Sequence, residues 1–257
     1  MQTAYNYLPN RNVAGLIQGL NPTRILTFEN PVDTMIFGQF AARYAGQDDG
    51  CKQPSASGDV ILGVVMRDLA HQNVAALTVD GLLAQSAVPI IPDGDIWCQT
   101  EEALVVGDTP YIVYAGKAQV QTITLSTDLI TGNIITTVVN GSSVSTTYAT
   151  DHATTRDAHA VKIAALAGVA TCTGTGDVFT VTANIDATLV ITTTVAGGAS
   201  VPTVVIAQTV AGLPTSNRGR LRNDADTSRA LDASAYVKIL EYDSVTTLAR
   251  VRVAVHV

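Results

Sequence analysis

Four histidines, His71, His152, His159 and His256, are the first residues to weigh for metal or proton chemistry. A metal site needs His, Cys or carboxylate groups converging at ligand distance. Only His152 and His159 are near neighbours, and no further His or carboxylate stands at a supporting spacing, so both are expected as exposed polar residues rather than ligands. Asp93-Gly-Asp95, Asp48-Asp49 and Asn223-Asp-Ala-Asp226 could each hold a cation loosely. None has the alternating oxygen ligands and distal Glu of a calcium loop, and turn formation explains them better. Nucleophilic catalysis wants Ser or Cys beside a base and an orienting acid, and the elbow spacing G-x-S-x-G does not occur. Gly174-Thr-Gly176 begins like a dinucleotide fingerprint, but the third glycine is missing and two short strands flank it. Glu101-Glu102 near Trp97 could suggest a sugar site, yet adjacent strand residues face opposite ways and do not set two carboxylates on one substrate. No catalytic, metal or cofactor constellation is legible, and neither an enzyme nor a cofactor is expected.

The concentrated basic stretch is Arg218, Arg220, Arg222 and Arg229, interleaved with Asp224 and Asp226. Mixed signs at this density point to local ion pairs rather than an anion site. The whole chain carries a net charge of −7, the wrong sign for neutralising phosphates or gathering on anionic lipid, so neither nucleic acid nor a membrane is an expected partner. The N-terminus lacks the basic and apolar regions of a signal peptide, and no apolar run is long enough to span a bilayer. Cys51, Cys98 and Cys172 are odd in number and widely spaced, which fits reduced, partly buried thiols made in a cytoplasm.

The elements that must position these residues are mostly strands. Hydrophobic residues make up 47% of the 257 residues and charged ones 14%, with Thr and Val recurring, a composition that favours β structure. From Met1 to Gln119, turn chemistry at Gln47-Asp-Asp-Gly50, Pro54-Ser-Ala-Ser-Gly58, Pro92-Asp-Gly-Asp95 and Gly107-Asp-Thr-Pro110 separates short apolar runs. The runs predict strands over 59–65, 74–79, 87–91, 96–99 and 111–114. Residues 120–211 are Thr-rich. Asn140-Gly141 between β-prone runs predicts a hairpin. A helix follows, capped by Asp151 or Thr154, with Ala160, Ile163, Ala164 and Ala167 as its apolar face and Gly168 as its stop. Strands over 169–173 and 178–183 complete a β-β-α-β-β order, with 189–195 and 203–207 as further candidates. In the last segment, Val251, Val253, Val255 and Val257 alternate with Arg250, Arg252, Ala254 and His256, a half-buried strand. If it pairs with the N-terminal part, residues 1–119 and 212–257 form one β domain and 120–211 is an insertion. The expected fold class is therefore mainly β: a jelly-roll-like sandwich or barrel with a small inserted α+β (ββαββ) domain.

The order of several motifs resembles the head decoration, or structural cement, proteins of tailed bacteriophages. These motifs are Ile36-Phe-Gly38, Cys51-Lys-Gln-Pro54, Asp59-Val-Ile-Leu-Gly-Val-Val65, Asp93-Gly-Asp-Ile-Trp97, Gly107-Asp108 and Pro110-Tyr-Ile-Val-Tyr114. Gly219-Arg-Leu-Arg-Asn-Asp-Ala-Asp-Thr-Ser-Arg-Ala230 and the closing Val-rich strand resemble the family's C-terminal loop and last strand. The resemblance covers the outer two thirds of the chain, while the middle segment is similar to a ββαββ unit that recurs in phage structural and tail proteins.

The resemblance implies a virion structural protein that decorates and stabilises the outer capsid surface, with the major capsid protein as partner. It implies self-association as a homotrimer or a dimer, after synthesis in the host cytoplasm. The candidate intersubunit contacts are then Arg218, Arg220, Arg222, Asp224, Asp226 and Arg229, whose charged groups can form charge-assisted hydrogen bonds. The alternative is a tail or surface protein that attaches to host glycans through the Thr-rich middle segment.

Overall fold

A computed structural model of the protein describes residues 13–17, 24–67 and 81–255. The expected strand over 74–79, together with His71 and His256, lies outside these residues. Contacts group the chain into two units, residues 1–115 with 216–257, and residues 116–215. In chain order the first unit contributes β1 (Arg24–Asn30), β2 (Met35–Ile36), β3 (Phe40–Arg43) and β4 (Cys51–Lys52). It continues with β5 (Ile61–Val65), β6 (Gly81–Leu82), β7 (Ser86–Gln99) and β8 (Tyr111–Val113). The second unit supplies β9 (Val120–Leu125), β10 (Ile134–Val139), β11 (Ser142–Thr147) and the helix α1 (His152–Ala164). It ends with β12 (Val169–Thr175), β13 (Val178–Ala183), β14 (Ile191–Ala196) and β15 (Val204–Val210). The chain then returns to the first unit through β16 (Leu221–Arg222), β17 (Ala230–Asp232), β18 (Val237–Asp243) and β19 (Leu248–Ala254). The architecture is mainly β, its strand pairs antiparallel, and among the described residues no sheet closes into a barrel.

The spine of the first unit is β7, which runs unbroken through Pro92-Asp-Gly-Asp95, where the sequence predicts a turn. Three local features explain the difference. Arg24 pairs with Asp93 and Leu26 with Ile90, so Ile91 and Pro92 together oppose one residue of β1, a bulge where a proline without an N–H is tolerated. The Pro92 carbonyl still accepts from the Val255 N–H at 2.7 Å. Asp95 is neutralised across the sheet by a two-point pair with Arg252, at 2.8 and 3.0 Å, and this pair holds its carboxyl below the usual range. β19 lies antiparallel to the second half of β7, with Val251 and Val253 buried and Arg252 and Ala254 exposed, as the alternation predicts. β5 approaches β7 at Gly63, whose φ is +141°, and a Cβ there would sit 2.2 Å from the Ile91 carbonyl oxygen. Only glycine fits that approach. Phe40, Ile91, Ile96, Cys98, Val251 and Val253 share the resulting core.

In the second unit the Asn140-Gly141 turn has φ of 49° and 87°, as a tight two-residue hairpin requires, and joins β10 to β11. β14 pairs with the other edge of β10, while β12, β13, β9 and β15 form a separate sheet, so the two hairpins around α1 belong to different sheets. Asp151 caps α1, its carboxylate accepting from the Thr154 N–H at 2.7 Å. The buried face of α1 is Thr155, His159, Ala160 and Ile163; Ala167, expected on it, lies beyond the helix and is exposed. The helix therefore buries a polar pair in place of two alanines. His159, expected to be exposed, is buried instead, because both ring nitrogens find partners inside: the Thr137 hydroxyl lies 2.8 Å from Nε2 and the Thr146 hydroxyl 3.0 Å from Nδ1, with the ring edge-on to Phe179. Burial, helped by the charge of Lys162, pushes its pKa down to about 4.

Candidate functional site

Glu101 follows the end of β7, and its N–H donates to the Leu221 carbonyl at 2.8 Å, which draws β16 beside it. The β16, β8, β17 sheet then brings the segment 217–230 over the Glu101 side chain. Arg229 clamps the carboxylate with two hydrogen bonds, 2.8 Å to Oε2 and 2.6 Å to Oε1. Arg222 adds a third at 3.1 Å, and the Asn217 side-chain amide a fourth at 2.9 Å. Four donors thus occupy both oxygens. Burial opposes ionisation of Glu101, but these bonds and the two arginine charges outweigh it, and its carboxyl is held below the usual carboxylate range. The Glu101 and Arg229 side chains are 5% and 2% exposed, which makes this pair part of the interior and leaves no room for a substrate.

The neighbouring acid, Glu102, lies 3.7 Å from Arg222 Nε and accepts from the Asn223 N–H at 2.8 Å. The Asn223 side chain donates to Asp108 at 3.0 Å, and Asp108 also accepts from the Val105 N–H at 2.7 Å. This ties the 223–228 loop to a turn bearing Val105 and Val106, which are 67% and 59% exposed. The Tyr114 hydroxyl donates to the Thr227 carbonyl at 2.6 Å and fixes the far side of the loop.

Of the charged residues singled out in the sequence, Arg222 and Arg229 are buried, Arg218, Arg220 and Asp226 are half-buried, and Asp224 is exposed. Asp224 lies 3.3 Å from Arg222, and Asp226 accepts from the Ser228 N–H and hydroxyl. The local ion pairing read from the mixed signs is present, but its central partner is Glu101, which sequence reasoning treated only as half of a carboxylate pair. The surplus of arginine over aspartate in 218–229 is the signal that a remote acid was needed.

The second unit brings Asp128 and Asp177 to His152, a cluster whose ligand atoms all lie within 4.8 Å of one another and which no sequence spacing shows. His152 Nδ1 accepts from the Leu129 N–H at 2.8 Å, so the network assigns the neutral ring's proton to Nε2, facing the Gly176 carbonyl at 3.0 Å. A cation on Nε2 would force the proton onto Nδ1, against the Leu129 N–H. The ring is a strut between α1 and its neighbouring turns, and it does not fit the role of a ligand. A cleft of about 320 Å³ in the same unit is lined by Lys117, Gln119, Asp186, Thr188, Gln208 and Leu213 among others. Within it Gln119 donates to Gln208 at 2.8 Å, and Asp186 accepts from the hydroxyl of Thr215, outside the lining, at 2.7 Å. No aromatic ring for sugar stacking is among its lining residues.

The scaffold is mainly β, and its charged cluster is locked inward around Glu101. Residues 1–156 match the family described as structural cement protein (E217 gp24/Pam3 gp6), and the chain belongs to this phage structural protein family. The match runs through β9, β10 and β11 into α1, so part of the middle segment that the motif resemblance set apart falls within the family. The returning segment from 212 onward lies outside the match. Among solved structures, a chain from Mycobacterium phage Patience is 17% identical, with 93% of this chain and 94% of that chain covered and a TM-score of 0.41. No curated protein matches.

Proposed function

We propose that the protein decorates and cements the outer surface of a tailed-phage capsid, binding the major capsid protein as a homo-oligomer, a trimer in the first instance. The family match over residues 1–156 is the observation that carries this reading. A protein that binds only the mature lattice stabilises it by mass action, and several modest contacts held on one oligomer add their effects. In this reading the β domain formed by the first and last segments faces the shell, and the middle unit is an insertion on the outside. Arg218, Arg220, Asp224 and Asp226, which reach solvent, supply the intersubunit contact. Arg222 and Arg229 act from behind, by holding the loop in shape through Glu101.

Quantitative mass spectrometry of purified virions and of separated tail-less heads tests the reading. A head-bound ratio to the major capsid protein near a fixed lattice fraction is expected. Enrichment in tails at a few copies would favour host attachment instead, and absence from particles would end the structural reading of this chain.

A further inference from the structure

Arg220 is half-buried, and its Nε, like that of Arg222, is shut off from solvent without a hydrogen-bond partner. Arg222 is compensated by ion pairs with Glu101, Glu102 and Asp224, and Arg220 is not. Among the described residues it forms no ion pair. Glu101, the acid whose charge acts on it, does not bond it, and Arg229, Arg222 and Asn217 already occupy both of its oxygens. Burial disfavours the Arg220 charge, and the attraction of Glu101 offsets this only in part. A guanidinium left short of acceptors in a partly dry setting is costly alone and favourable once a planar carboxylate reaches it.

We infer that Arg220 is a socket for a carboxylate of the capsid subunit on which the protein sits, an inference that rests on the cement reading above. The acids of the same surface are already engaged within the chain: Asp224 with Arg222, Asp226 with Ser228, Glu102 with Asn223, and Asp108 with Asn223 and the Val105 N–H. Two copies related by a dyad, with this loop face to face, therefore offer no ready carboxylate, and the shell subunit on which the proposed cement role seats the chain is taken as the source of the acid. The exposed Val105 and Val106, tied to the same loop through Asn223 and Asp108, offer apolar surface to the same partner. Such a combination, apolar contact together with a partly desolvated charge pair, is the kind that concentrates binding energy.

The test is binding of the full-length chain to heads that lack it, comparing wild type with Arg220→Gln and Arg220→Lys over a range of salt concentrations. Arg220→Gln is expected to bind at least about tenfold more weakly, with a shallower salt dependence, and Arg220→Lys to fall between, since it keeps the charge but loses the fork. Thermal melting of Arg220→Gln should be no lower than wild type, because burying its charge costs more than the attraction of Glu101 returns. Wild-type binding with an unchanged Arg220→Gln affinity overturns this inference and leaves the cement reading standing. Failure of wild type to bind heads overturns the cement reading itself. Unchanged head affinity with altered self-association of the free Arg220→Gln chain would assign the carboxylate to a second copy and overturn the choice of partner made here.

Discussion

Lowering the pH from 7 to 5 is expected to loosen residues 116–215 while leaving the first unit folded, and His159 is the reason. Its ring is buried, bonded on both sides by threonine hydroxyls and edge-on to Phe179, with its pKa pushed down to about 4. An unfolded histidine titrates near 6.5. The folded ring therefore stays neutral while the unfolded chain takes up a proton, so the stabilisation is complete above about pH 7 and is lost as pH falls through the window between about 6.5 and 4. With 1.36 kcal/mol for each tenfold change in proton affinity, the loss is about 2 kcal/mol at pH 5 and about 3 kcal/mol at pH 4. Hydrogen exchange of peptides from β10, β11 and α1, corrected for intrinsic exchange, measures it. Trp97, the one tryptophan, lies in the first unit and its fluorescence is an internal control. His159→Gln should flatten this part of the pH dependence at a fixed cost of about 1–2 kcal/mol at pH 7. An unaltered pH slope in His159→Gln would refute the assignment.

Glu101→Gln removes the counter-charge from Arg222 and Arg229 and is expected to destabilise the first unit by about 3–5 kcal/mol, read as a drop in the Trp97 unfolding midpoint in urea. Gly63→Ala places a methyl group against the Ile91 carbonyl and should cost more than about 2 kcal/mol in the same assay; a neutral result would show that β5 and β7 can part without penalty. Asp151→Ala removes the cap of α1 and should lower the stability of the second unit by about 1 kcal/mol, seen as faster exchange in the first helical turn.

What could be read in the sequence was what depends on neighbours along the chain. The Asn140-Gly141 hairpin, the Asp151 cap and the valine alternation of β19 are all set by local backbone chemistry. β9 was not legible because one of its inward residues is Gln121, whose amide donates to the Leu189 carbonyl at 2.7 Å; a polar residue with a remote partner looks like a surface residue until that partner is known. Pro92 and Gly94 read as turn residues because a bulge and a turn use the same residue types. The site itself was half visible. Its arginines stood out as a cluster, but the acid that organises them lies 128 residues from Arg229, and no local spacing could join the two.

The pairing of β7 with β19 has a consequence for how the protein is made. Gln99 waits for Leu248, and Glu101 for Arg229, while the whole of 116–215 can complete its own strands from local partners. On a ribosome the second unit is then the first to fold, and the first unit, synthesised earlier, is sealed only when its closing strand emerges. Until that moment β7 has one long flank without its final neighbour. The loop that carries Arg220 likewise closes on β8 and Glu101 only after the whole second unit has been synthesised.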